Sequence, residues 1–166
     1  MAIDIRPQDG VDVCADAHML PFRDNSFEIV LCTEVLEHVH NPQILVDEAY
    51  RVLKRGGRCI LSTRFCYPIH DAPNDLYRFT RYGLEYLFKK WEIELLKEDT
   101  DELTTVGTLL DFYIFRLNGL LGFVLKAIWF PLSYLFRKKY LVRKRAANCD
   151  KTRLFSSGYQ LVAVKL

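Results

Sequence analysis

The chain has 166 residues, half of them hydrophobic and 27% charged, which excludes a disordered polymer and supports one domain with an ordinary core. A formal net charge of +2 gives no electrostatic footprint for a nucleic-acid partner. Five cysteines, Cys14, Cys32, Cys59, Cys66 and Cys149, form no C-x-x-C pair, so no disulfide framework and no metal site is expected.

The cysteines read as packing residues, and a reducing cytoplasm is the expected setting. Asp4, Arg6, Asp9 and Asp12 break any apolar stretch near the start, so no secretory signal is expected there. Met1 to Ile5 is a short strand candidate, followed by a turn at Pro7, Asp9 and Gly10. Val11 to Ala15 and Phe27 to Cys32 are the next strands, the latter rich in β formers. Asn41-Pro42 opens a helix, because Asn41 can accept from a free N–H and Pro42 loses no bond at the first helical position. Leu45, Ala49, Val52 and Leu53 make its apolar face, and Gly56-Gly57 is expected to end it. Arg58 to Thr63 follows as a strand with Cys59-Ile60-Leu61 as a buried run.

Thr80 is the expected cap of a second helix whose inner face holds Leu84, Leu87 and Phe88. Trp91 to Leu96 alternates apolar and charged residues and reads as a strand near a sheet edge. Phe155 to Lys165 is the last strand. Between them lies an apolar, aromatic insertion over 103–150, expected to be a helical lid within a single 1–166 domain. Strands separated by helices predict an α/β sheet.

Three features converge on the carboxyl ends of strands, where open α/β sheets bind ligands. Asp4 ends the first strand and can accept both hydroxyls of a ribose. Asp16 follows the second, in Ala15-Asp16-Ala17-His18, and can accept from an adenine amino group. The third strand runs through Cys32 into Thr33-Glu34-Val35-Leu36-Glu37-His38-Val39. A further cluster, Tyr67-Pro68-Ile69-His70-Asp71 through Asp75 to Arg78, follows the Arg58–Thr63 strand. His70 can act as a general base, and Asp75 and Arg78 can pair with each other or grip a polar substrate.

The run from Asp16 through Leu20-Pro21-Phe22, Asn25-Ser26-Phe27-Glu28, Leu36-Glu37-His38-Val39, Glu48, Arg51-Val52-Leu53-Lys54 and Gly56-Gly57 resembles the methyltransferase type 11 family of class I S-adenosylmethionine-dependent methyltransferases. The resemblance covers roughly Ile3 to Trp91 and implies a Rossmann-like, mostly parallel sheet with flanking helices. It implies that Asp4 holds the ribose of S-adenosylmethionine and that Asp16 and Ala17 hold its adenine. Cys32 and Thr33 would pass beside the methionine portion, Glu37 and His38 would face the reaction cleft, and His38 or His70 would serve an acceptor needing a base. Tyr67, Asp75 and Arg78 would meet the acceptor.

The pattern departs from the family at its first motif, because three residues precede Asp4 and no G-x-G occurs. Backbone can closely approach the methionine carboxylate of the cofactor only at glycine. A fold truncated at the N-terminus is therefore expected, with a gap beside the Asp4 strand covered by a rearranged strand, a helix or a second copy of the chain. Methyl transfer to a small-molecule or lipid-like acceptor stands beside a non-catalytic module that binds a partner or membrane. A nicotinamide oxidoreductase is disfavoured by the same missing G-x-G-x-x-G.

From Val106 to Phe136 no uncharged run reaches the roughly 18 residues of a membrane span. Arg137, Lys138, Lys139, Arg143, Lys144 and Arg145 then follow. Apolar aromatics ahead of a basic cluster suit peripheral contact with anionic lipid, compatible with a lid over the sheet.

Overall fold

A computed structural model describes residues 1–144 and 154–166, with side chains in the last helix described through Leu135. The chain divides into two compact units: Met1–Phe65 with Ile69–Lys97 and Gly158–Leu166, and Cys66–Pro68 with Glu98–Ser157.

In the first unit, β1 (Ile3–Asp4) and β2 (Val13–Cys14) form a parallel pair of two residues each. β3 (Phe27–Thr33), β4 (Leu53–Arg64), β5 (Glu92–Glu98) and β6 (Gly158–Val164) form a second sheet in the order β3-β4-β6-β5. β3 and β4 run parallel, with Leu31 opposite Ile60 and Cys32 opposite Leu61. β6 is antiparallel to β4, so the sheet is mixed and the Glu92–Glu98 strand lies at its edge, as its alternating pattern predicts.

α1 (Pro42–Val52) begins where the sequence predicts: the Asn41 side chain accepts from the Ile44 N–H at 3.4 Å. It ends earlier than the glycine pair suggests. Leu53 already pairs with Phe27, and the register slips before Ile29 pairs with Arg58. Gly56, at φ +75°, turns inside this irregular start, and its N–H donates to the Lys165 carbonyl. Pairing with two neighbouring strands decides the boundary here, and helix-stop chemistry does not. α2 (Arg81–Leu87) is capped by Thr80, whose hydroxyl accepts from the Gly83 N–H at 3.1 Å.

The core sits on one face of the sheet. Leu45, Val46 and Ala49 of α1 and Leu84 of α2 bury against Cys59 and Leu61 of β4 and Leu161 and Ala163 of β6. Each fully buried leucine contributes about 1.5–3 kcal/mol of transfer free energy. The run Cys59-Ile60-Leu61 is not buried throughout: Cys59 and Leu61 are 1% exposed and Ile60 37%. The pleat turns Ile60 to the opposite face, beside its register partner Leu31, which is 67% exposed.

In the second unit, α3 (Glu102–Arg116) starts at Asp101, whose carboxylate accepts from the Thr104 N–H at 2.9 Å. α4 (Gly119–Lys144) follows after a short connection. Trp129 Nε1 donates to Asp111 Oδ1 at 2.6 Å, and Lys126 Nζ donates to the Leu117 carbonyl at 2.8 Å. The described part of the insertion, through Lys144, is thus helical as expected. No helix among the described residues is long and apolar enough to cross a membrane.

A Cβ at Gly158 would lie 2.3 Å from the Thr63 carbonyl oxygen, whereas one at Gly107 in α3 would meet nothing within 4 Å. Gly158→Ala should therefore destabilise the protein by about 1–3 kcal/mol. Gly107→Ala should stabilise it by about 0.5–1 kcal/mol. Urea denaturation of the two variants checks both signs.

Candidate active site

The carboxyl ends of β1, β2 and β3 open into one cavity of about 460 Å³, a volume within the usual range for small-molecule sites. Asp4, Asp16, Ala17, Cys32 and His38 all line it.

Asp4 is fixed by its own turn. Its Oδ1 accepts from the Arg6 N–H at 2.8 Å and its Oδ2 from Gln8 Nε2 at 3.1 Å. A carboxylate offers about four acceptor positions, so it retains capacity for two hydroxyls. Asp16 Oδ1 accepts from the His18 N–H at 2.9 Å and lies 2.6 Å from His18 Nδ1, with Oδ2 outside these bonds. His18 Nε2 in turn accepts from the Asn41 N–H at 3.1 Å, tying Asp16 to the start of α1. The backbone N–H of His18 foremost, and then its ring, hold the Asp16 carboxyl below its ordinary value.

The loop between β2 and β3 is held by Arg51. Its guanidinium meets Glu48 in a fork, at 2.8 Å on each arm, and donates to the carbonyls of Phe22 at 2.8 Å and Leu20 at 3.0 Å. It also reaches Asp24 at 2.8 Å, while Glu48 Oε2 accepts from the Leu20 N–H at 2.9 Å. The Arg51 hydrogen bonds keep the Glu48 carboxyl below its ordinary value.

After β3 the chain turns through Glu34 at φ +56°, a left-handed conformation that costs a non-glycine residue about 1 kcal/mol or more. The turn is held in place: the Glu34 N–H donates to the Ser62 carbonyl, Ser62 Oγ donates to Glu34 Oε1 at 2.7 Å, and Arg64 pairs with the same carboxylate. A 3-10 turn at Leu36–His38 follows.

Glu37 does not line the cavity. Its side chain is fully buried, Oε2 accepting from Thr63 Oγ1 at 2.7 Å, while Oε1 has no hydrogen-bond partner. Its carbonyl accepts from the N–H groups of Leu76 and Tyr77. His38 Nδ1 lies 3.0 Å from the Asn74 carbonyl, and its ring meets that of His70 edge-on at 4.7 Å. Asp75 accepts from the His70 N–H at 2.9 Å and from both terminal nitrogens of Arg78, at 2.5 and 2.6 Å. These Arg78 bonds, foremost, press the Asp75 carboxyl far below the usual carboxylate range.

The structure thus gathers Asp4, Asp16, Ala17, Cys32 and His38 around the cavity and joins His70, Asp75 and Arg78 to His38. Thr33 ends β3 in register with Ser62 and is not among the lining residues. Tyr67 belongs to the second unit, where its ring meets Phe112 at 5.4 Å. Cys32 and Cys59 are free and buried, and desolvation pushes the Cys59 thiol up to about 12, which suits packing. Cys149 and Arg145 lie outside the described residues. Sequence reading missed the Glu34 turn and the Thr63 partner of Glu37. Neither has a local signal, because both depend on β3 and β4 being neighbours.

Residues 4–61 match the family model described as a methyltransferase domain. An uncharacterized protein of Methanocaldococcus jannaschii is 34% identical over 90 residues, covering 52% of this chain and 43% of that protein. The ubiquinone/menaquinone biosynthesis C-methyltransferase UbiE of Desulfotalea psychrophila is 41% identical over 80 residues, covering 46% of this chain and 30% of the relative. The chain therefore spans less than half the length of these relatives. The fold matches the crystal structure of a putative methyltransferase from Bacillus halodurans with a TM-score of 0.54 and 20% identity, over 99% of this chain and 80% of that one.

The covered Asp75 carboxylate yields a pH signature. Its folded-state value is depressed, so its stabilisation is complete above the unfolded value near 3.9 and is lost as pH falls below it. Asp75→Asn should cost about 1.5–3 kcal/mol at neutral pH and flatten the loss of stability below about pH 4. Urea midpoints of both proteins across the acid range check this.

Proposed function

We propose that this chain, whose residues 4–61 match a methyltransferase domain, is a class I S-adenosylmethionine-dependent methyltransferase that binds S-adenosylmethionine in the cavity at the ends of β1–β3 and transfers methyl to a small-molecule or lipid-like acceptor. The observation that carries this reading is the meeting of Asp4, Asp16, Ala17 and Cys32 around one cavity of nucleoside size.

These residues fit the nucleoside half of the cofactor. Asp4 would accept the ribose hydroxyls on the capacity left by Arg6 and Gln8, and Asp16 Oδ2 would accept the adenine amino group. Ala17 and the wall at Cys32 supply apolar contact. The bound cofactor supplies a sulfonium-activated methyl group, so the protein's task is to align the acceptor and manage its proton. His38, on the cavity wall, would hold an acceptor hydroxyl or amine through Nε2 and take its proton, because Nδ1 faces the Asn74 carbonyl. His70 supports the His38 ring, and Asp75 with Arg78 fixes His70.

The name of the UbiE relative supports a quinone-like, lipid-soluble acceptor. A second observation agrees: α3 and α4 carry exposed large apolar residues, among them Phe115, Leu120, Leu121, Phe123 and Ile128. The basic residues Arg137, Lys138, Lys139, Arg143 and Lys144 follow in the same helix, with side chains outside the described set. Such a surface suits peripheral contact with an anionic membrane, where each cation contributes about 1 kcal/mol.

Calorimetry with S-adenosylmethionine tests the main reading. Asp16→Ala and Asp4→Ala should each weaken binding by about 1.5–3 kcal/mol. Undetectable binding by the wild type would leave a non-catalytic module instead, and binding indifferent to both substitutions would move the cofactor elsewhere. For the second observation, sedimentation with anionic vesicles should fall on neutralising Arg137, Lys138 and Lys139 and on raising salt. Equal, negligible sedimentation with anionic and neutral vesicles would remove the membrane reading.

A further inference from the structure

We propose that Glu37, His38 and His70 bind a divalent transition-metal ion of the zinc or ferrous class. One donor atom from each of the three lies within 4.8 Å of the others. The ion-binding claim stands on its own, whatever the acceptor of methyl transfer; with the ion bound, His38 Nε2 is a ligand, and the ion replaces it as the group that eases loss of an acceptor proton.

The first argument is the orphaned oxygen. Glu37 is fully buried, yet only Oε2 is satisfied, by Thr63; Oε1 is buried with no hydrogen-bond partner. Leaving a buried carboxylate oxygen unmatched is costly, and native structures rarely do so without a reason. His70 Nε2 lies 4.0 Å from this oxygen, too far for a hydrogen bond. Two ligands held about 2.0–2.2 Å from one ion sit roughly 3.4 Å apart in a tetrahedral site. Closing around an ion therefore takes an approach of about half an ångström for this pair, and of more than an ångström for a pair at the 4.8 Å limit.

The second argument is the orientation of the imidazoles. His38 Nδ1 faces the Asn74 carbonyl at 3.0 Å. His70 Nδ1 lies 3.4 Å from Asp75 Oδ2, and Arg78 holds that carboxylate in place. Metal-binding histidines characteristically donate one ring N–H to a carbonyl or carboxylate, which presents the other nitrogen as the ligand. His38 meets this condition, and the His70 ring faces a carboxylate of the right kind at 3.4 Å, a distance that ion binding would need to shorten.

The donor set selects the ion. Two imidazoles and one carboxylate match zinc and the three-ligand ferrous sites, both of which keep positions open for water or substrate. Magnesium and calcium prefer all-oxygen surroundings. An ion here would withdraw electron density from a coordinated hydroxyl and ease loss of its proton.

The test uses the full chain, titrated with Co²⁺ as a coloured probe and then competed with Zn²⁺. One equivalent should bind with visible absorption, and Zn²⁺ should displace it. Glu37→Gln, His38→Gln and His70→Gln should each weaken binding at least tenfold, and Asp75→Asn by about tenfold through loss of the outer partner. Cys14→Ser, which removes an exposed thiol, should bind as the wild type does. Histidine-ring nitrogen NMR of the wild type with Zn²⁺ decides the matter even where a variant fails to fold. Nε2 of His38 and of His70 should shift, and the rings of His18 and His40 should not. Failure to bind an equivalent of Co²⁺, binding unchanged by Glu37→Gln, or shifts confined to His18 and His40 would each overturn the proposal. Loss of S-adenosylmethionine binding alongside intact Co²⁺ binding would sink only the methyl-transfer reading.

Discussion

A single carboxylate without access to water organises the end of the first unit that carries His38 and His70. Glu37 meets Thr63 of β4 through its side chain, and its carbonyl receives two N–H groups from the 76–77 segment. Three stretches far apart in sequence are thereby pinned at one point. Moving a carboxylate out of water is expensive unless its surroundings are preorganised. The turn, the end of β4 and the loop carrying His70 must therefore form together. His38, the next residue in the chain, is delivered to the cavity wall as a result.

Neighbouring contacts serve the same end. The left-handed turn at Glu34 reverses the chain sharply enough to put Glu37 over β4, and its strain is offset by bonds to Ser62 and Arg64. At the loop before β3, Arg51 gathers Glu48, Asp24 and two loop carbonyls. A lysine could not reproduce that planar fork. The wall bearing Ala17 and Leu20 is thus fixed to α1, the best-packed helix of the unit.

Much of this was legible in the sequence wherever the signal is local. Asn41 and Thr80 cap helices as their residue types require, and the alternation from Trp91 onward marks an edge strand. The spacing of Asp4, Asp16 and Cys32 places all three at strand ends, and they do share a cavity. Non-local effects were not legible. Leu53 is helical by periodicity and becomes strand because Phe27 pairs with it. Ile60 reads as core because both its neighbours are, yet α1 and α2 pack on one face of the sheet and the other holds Ile60 and Leu31. Glu37 reads as a cleft residue in a polar turn, and only the adjacency of β3 and β4 gives it Thr63. The approach of His38 to His70 spans 32 positions and leaves no trace in either stretch.

Two of the carboxylates lining the cavity, Asp4 and Asp16, stand on unequal ground. Asp16 is wired through His18 into the cap of α1, whereas Asp4 belongs to a pair of strands two residues long, bonded to no other strand in the described structure. So short a pair is marginal by itself. Any ligand that spans both acids must spend part of its interaction energy holding the Asp4 turn still, while the Asp16 side is rigid beforehand. The cavity therefore has one stiff jaw and one soft jaw. Molecules gripping only the stiff side lose little entropy, so a ligand's affinity per atom is set more by what it places against Asp16 than by what it places against Asp4.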